Sequence, residues 1–129
     1  MTLSGWMLEL RRFLEMLPVR AALYDERREL IFANELFRRE WKDTDLTEQP
    51  CYRVWGKNQP CPNCPIISML RNPEIPNGPV SFEVKEENEP ARYWHCHASL
   101  LQNEDGRRMG ALVLFFEITR QRPTEERLQ

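Results

Sequence analysis

The last third of the chain most constrains the fold. Val80, Phe82 and Val84 alternate with Ser81, Glu83 and Lys85. A period of two puts alternate side chains on opposite faces of a strand. The polar run EENEP reads as a loop, and ARYWHCHASLL reads as a second strand. NEDG follows as a hairpin turn in which Gly106 takes positive φ. MGALVLFFEIT is a third strand, apolar on both faces over 111–116 and therefore predicted to be central and covered on both sides. Three successive strands of this kind form an antiparallel meander.

The first half supplies helices and a second hairpin. Trp6, Leu10, Phe13, Leu14 and Leu17 predict one apolar stripe on a helix over residues 6–17, ended by Pro18. AALYD and LIFAN flank the charged turn ERRE and predict a β-hairpin. Asn34 suits the N-cap of the helix that follows, ELFRREW. Prolines gather between Pro50 and Pro90 and mark irregular structure, with a helical turn expected around Cys51–Trp55 and another helix from Pro65. Helices grouped on one side of an antiparallel sheet give an α+β domain. RQRPTEERLQ begins a polar helix with little reason to fold alone, so the chain is expected to be cut from a longer protein.

Composition excludes several functions. With 18 basic and 20 acidic residues, the chain lacks the basic excess that grips nucleic-acid phosphates. No apolar run approaches the ~20 residues of a membrane helix. Charges at Glu9, Arg11, Arg12 and Glu15 interrupt any secretion-signal core. A cytoplasmic setting with reduced thiols is therefore expected. No Ser/His/Asp set, paired-carboxylate motif or Gly-rich phosphate loop appears, which argues against an enzyme.

The stretch CYRVWGKNQPCPNCP carries Cys51, Cys61 and Cys64. These are candidates for a metal site or a thiol redox centre, or they are structural cysteines packing a loop. Zinc wants four ligands, so Cys96, His95, His97 or water would have to complete the set. The redox reading rests on Cys61 and Cys64 near a helix start, where thiol pKa values fall. Further along, strand parity turns Cys96 toward the core with Trp94, and His95 and His97 outward with Tyr93. Phe32, Phe37, Trp41, Tyr52, Trp55, Trp94, Cys96 and Phe116 are candidates to line a small-molecule pocket, or else are plain core.

Two segments carry a family resemblance. LPVRAALYDERRELIFAN is similar to the opening hairpin of PAS domains, and DGRRMGALVLFFEITRQR to their closing hairpin. The family's terminal D-I-T reads Glu117-Ile118-Thr119 here. The cysteine stretch resembles a PAS subgroup with a CYxxxHGRxxPCxxCP segment, with Trp55 in place of His and Lys57 in place of Arg. The resemblance implies a five-stranded antiparallel sheet with short helices on one face, between an N-terminal helix (1–17) and the start of a linker helix (121–129), the PAS domain being 18–120. It implies a sensory role and a ligand cavity between sheet and helices, the alternatives being a metal- or thiol-based redox protein using Cys51, Cys61 and Cys64 and a ligand-free dimerisation module using the apolar stripe over residues 6–17. Homodimers would form through Trp6, Leu10, Phe13, Leu14 and Leu17, and signal would leave at Glu117, Ile118 and Thr119 toward a kinase, diguanylate cyclase or transcription regulator. Haem and covalent flavin are not supported, because neither the axial-His helix nor the N-C-R-F-L-Q stretch is present.

Overall fold

In a computed structural model, the described residues are 5–42, 46, 49–59, 64–72, 74, 79–87 and 92–118. Five strands form one antiparallel sheet: β1 Arg20–Asp25, β2 Leu30–Ala33, β3 Val80–Glu86, β4 Arg92–Gln102 and β5 Arg108–Ile118. Their spatial order is β2-β1-β5-β4-β3, so β5 sits in the centre and the meander β3-β4-β5 forms as its alternation predicts. Among the described residues are also helices α1 (Gly5–Glu15), α2 (Glu35–Glu40) and α3 (Pro65–Arg71) and a 3-10 helix (Cys51–Trp55).

Parity builds the core. Ala22 and Tyr24 of β1, Val84 of β3, Trp94, Cys96 and Ala98 of β4 and Ala111, Val113 and Phe115 of β5 share the inner face. The registers Cys96↔Phe115 and Ala98↔Val113 align them across strands. Phe37, Trp41, Val54, Trp55, Ile66 and Met69 come down onto this face from the helices. Full burial of one such side chain contributes roughly 1.5–3 kcal/mol. The Arg108 guanidinium donates to the carbonyls of Met69 and Asn72, tying the end of α3 to the start of β5.

Asn34 is the junction of the first half. It is 1 % exposed. Its Oδ1 accepts the N–H of Phe37 at 3.1 Å, which caps α2, and that of Ala21 at 3.0 Å. Its Nδ2 donates to the carbonyls of Leu14 and Val19. One amide thus satisfies groups from α1, β1, α2 and the linker between them. In the closing hairpin, Gly106 takes φ 84° as the turn requires. Gly110 faces β1 so closely that a Cβ would meet the Tyr24 carbonyl oxygen at 2.1 Å.

Three expectations are corrected. The N-terminal stripe is not one face: Leu14 is 1 % exposed and Phe13 58 %, because adjacent helical positions diverge by about 100°. Leu10 and Leu17 are half-buried, and the Trp6 side chain lies outside the described residues. Central β5 is not covered on both faces, since Phe116 is 41 % exposed opposite Phe115. Finally, the loop read as EENEP begins one residue too early. β3 runs to Glu86, whose parity with Val84 turns it inward to 2 % exposure.

Candidate functional site

A cavity of about 320 Å³ lies between the inner sheet face and the segment carrying the 3-10 helix and α3. Tyr24, Phe82, Val84, Val113 and Phe115 wall it from the strands. Cys51, Trp55, Cys64, Pro65 and Ile66 wall it from the helical side. Lys57, Glu83 and Lys85, the last two exposed, frame the side next to edge strand β3. Its size sits at the lower end of small-molecule pockets, and a mostly apolar wall with a few polar groups is their usual chemistry. The Tyr24 hydroxyl is held well above its ordinary range by burial, and then by the neighbouring sulfurs of Cys51 and Cys96. It stays protonated, a donor at the cavity wall.

Behind the cavity is an aromatic cluster. Trp55 packs 5.7 Å from Phe115 and 6.2 Å from Trp41, centroid to centroid. Trp41 lies 5.1 Å from Trp94 and 4.5 Å from Phe37. Buried indole N–H groups need acceptors, and Glu86 supplies both. Its Oε2 accepts Trp41 Nε1 at 3.1 Å, and its Oε1 accepts Trp94 Nε1 at 2.9 Å. Arg92 Nη2 closes the charge at 3.0 Å, while its Nη1 binds Glu40, which Arg20 holds from its other side at 2.7 Å. Burial pushes the Glu40 carboxyl up, but the hydrogen bonds from Arg92 and Arg20 outweigh it and hold it below the usual carboxylate range. The Arg20 and Arg92 guanidinium groups each lie 5.0 Å from the Trp94 ring centroid, a cation–π contact. Arg92 also comes within 4.0 Å of Glu117 near the end of β5.

Two of the three clustered cysteines meet. The Cys51 thiol hydrogen-bonds to Cys64, and both are buried and outside any disulfide. Cys64 is held down to about 6: chiefly by that bond, against the opposing effect of burial, and with help from the Ile67 and Ile66 amides and the Arg28 charge. Cys61 lies outside the described residues. Among the described residues no group of three His, Cys, Asp or Glu side chains is placed to hold a metal.

The remaining sequence-predicted residues divide by face. Trp55 lines the cavity, while Phe37, Trp41, Trp94 and Cys96 belong to the core beside it. Tyr52 is half-buried on the 3-10 helix. Phe32 lies under the Arg11 guanidinium at 4.9 Å, away from the cavity. Phe116 is on the outer face, edge-on to His97 at 5.3 Å, and the wall position expected of it belongs to Phe115. His95 and His97 stand 4.7 Å apart on that outer face. Of the output triplet, Glu117 and Ile118 end β5 and Thr119 lies outside the described residues. Sequence reasoning missed Tyr24, Phe82, Val84, Val113, Phe115 and Glu86. The strand period carried all six, Glu86 by continuing the inward series from Val84.

No family model matches the chain, and no curated protein sequence does. Solved structures match across nearly all of it. The PAS domain of BvgS from Bordetella pertussis superposes with TM-score 0.66 at 10 % identity, covering 96 % of this chain and 95 % of that one. A PAS domain from Colwellia psychrerythraea gives 0.64 at 12 % identity, over 91 % of this chain and 100 % of that one. The chain has the PAS fold. A phage VqmA–DPO complex also matches, with TM-score 0.60 at 14 % identity, over 96 % of this chain and 56 % of that one. Of the cysteine-bearing stretch, Cys51, Trp55, Lys57, Cys64 and Pro65 line the cavity. Among the described residues no helix is long and apolar enough to cross a membrane.

Proposed function

We propose that this PAS domain is a sensory module, not an enzyme, and that its cavity takes a small, flat, mostly apolar molecule with a polar or anionic end. The carrying observation is the cavity itself, with Trp55, Phe82 and Phe115 offering ring faces and Lys57 and Lys85 at its charged side. A DPO complex among structures of similar shape supports the reading. The domain acts in the cytoplasm, as a homodimer, ahead of a C-terminal output domain such as a kinase or diguanylate cyclase. Occupancy is felt at the end of β5 because Arg92 joins buried Glu86 to Glu117. A ligand shifts such an equilibrium only by its difference in affinity between two states.

Calorimetric titration with 2-naphthol and 2-naphthoate tests the site. Both should bind, the anion roughly 1.4- to fivefold tighter, as a solvent-exposed ion pair contributes about 0.2–1 kcal/mol. Val84→Phe, which fills the cavity, should abolish binding. The proposal fails if neither compound binds, or if Val84→Phe binds as well as the parent protein.

A further inference from the structure

We propose that Cys51 and Cys64 form a two-electron thiol switch in the cavity wall, oxidised by hydroperoxides to a reversible disulfide. This goes beyond the ligand reading and does not depend on it. The two cysteines are thirteen positions apart in the sequence, on the 3-10 helix and just before α3. The fold nevertheless brings their sulfurs into hydrogen-bond contact, both lining the same cavity. That cavity gives a small oxidant a path to side chains that are otherwise buried.

The surroundings favour attack by Cys64. Its sulfur receives the Cys51 thiol and faces the Ile66 and Ile67 amides and the Arg28 charge, all of which favour its thiolate form. Thiolate, not thiol, is the nucleophile. Arg28 is itself unusual, a non-glycine residue at φ 67°. Its Nη1 is buried and, among the described residues, has no hydrogen-bond partner. Its carbonyl accepts the Cys51 N–H at 2.9 Å, which fastens the strained residue to the cysteine pair. A residue held in a sparsely populated backbone region against its own preference marks a place where the surrounding structure requires it. The buried Nη1 of this half-buried arginine adds positive charge beside the cysteine pair.

The step balances as follows. Cys64 thiolate attacks one oxygen of the hydroperoxide, the O–O bond breaks, and the departing alkoxide is protonated to the alcohol, or to water when the oxidant is hydrogen peroxide. Cys64 is then a sulfenic acid. The Cys51 sulfur attacks it, the S–O bond breaks, and hydroxide leaves as water with the Cys51 proton. Two thiols have lost two electrons and one peroxide bond has been reduced. A dithiol reductant reverses the change by exchange. Closing the bond draws the start of α3 toward the 3-10 helix and reshapes the cavity wall between them.

The test treats the reduced full chain with hydrogen peroxide. Of the four cysteines, two thiols should be lost, with an intact mass lower by two hydrogens. Trypsin separates Cys51, on residues 43–53, from Cys61 and Cys64, which share residues 58–71. A non-reduced digest should therefore hold a cross-link between those peptides, and Cys61→Ser should retain it. Cys51→Ser should instead accumulate a dimedone-reactive sulfenic acid at Cys64. The proposal is overturned if all four thiols survive, if oxidation stays within residues 58–71, or if Cys61→Ser loses the cross-link. If Cys64→Ser fails to fold, the Cys61→Ser and Cys51→Ser results still decide the question.

Discussion

Glu86 joins two buried indoles and Arg92 in the core, and its removal has a calculable cost. It is 2 % exposed and accepts both the Trp41 and Trp94 indole N–H groups and the Arg92 guanidinium. Glu86→Ala orphans two buried donors, each costing roughly 1–3 kcal/mol. It also breaks a buried ion pair, for which about 3–5 kcal/mol is typical when one partner is lost. Arg92 keeps Glu40, so the lower ends of these ranges apply, and a total of about 5 kcal/mol is expected. Glu86→Gln keeps one acceptor but turns an amide N–H against an indole N–H, for about 2 kcal/mol. Glu83→Gln, on the exposed parity of the same strand, should stay within about 0.5 kcal/mol. Urea denaturation followed by far-UV circular dichroism measures all three, against a whole-domain stability on the order of 5–15 kcal/mol. A loss below about 1 kcal/mol for Glu86→Ala would show that the carboxylate does not bind the indoles, and the reasoning would be refuted.

Two further outcomes follow from single residues. Asn34→Ala removes the α2 cap and the bonds to Leu14, Val19 and Ala21, and should cost about 2–4 kcal/mol in the same assay, against about 1 kcal/mol for an ordinary cap. Cys64 is faced by Cys51 and Arg28, and its folded value of about 6 lies below the roughly 8.5 of an unfolded thiol. A depressed acid contributes stability that is complete above the unfolded value and is lost as pH falls through about 6. Thermal melting of the reduced protein should therefore rise between pH 6 and 9 more steeply than that of Cys64→Ser, and parallel curves would contradict the depressed value.

Local rules made much of the fold legible. The closing meander follows from Val80–Val84 and the NEDG turn, and Asn34 announces its cap by standing before ELFRRE. What stayed hidden needed three dimensions. Glu86 looked like the start of a charged loop, because composition outweighed the two-residue period that turned it inward. Phe115 and Phe116 are adjacent aromatics, and only the register opposite Cys96 tells which one faces the core. The contact between Cys51 and Cys64 joins the 3-10 helix to the residue before α3, which spacing along the chain does not encode. The C-x-x-C pair drew attention to Cys61, which lies outside the described residues; among the described ones Cys64 meets Cys51.

The most direct measurement is a two-dimensional amide and indole NMR titration with 2-naphthol. A ligand in the cavity shifts the Trp55 indole and the Ile66, Val84 and Val113 amides together, saturably, with smaller shifts reaching Glu117 and Ile118. Shifts centred on His95, His97 and Phe116, or none at saturating probe, contradict a cavity that receives a ligand and reports it through β5.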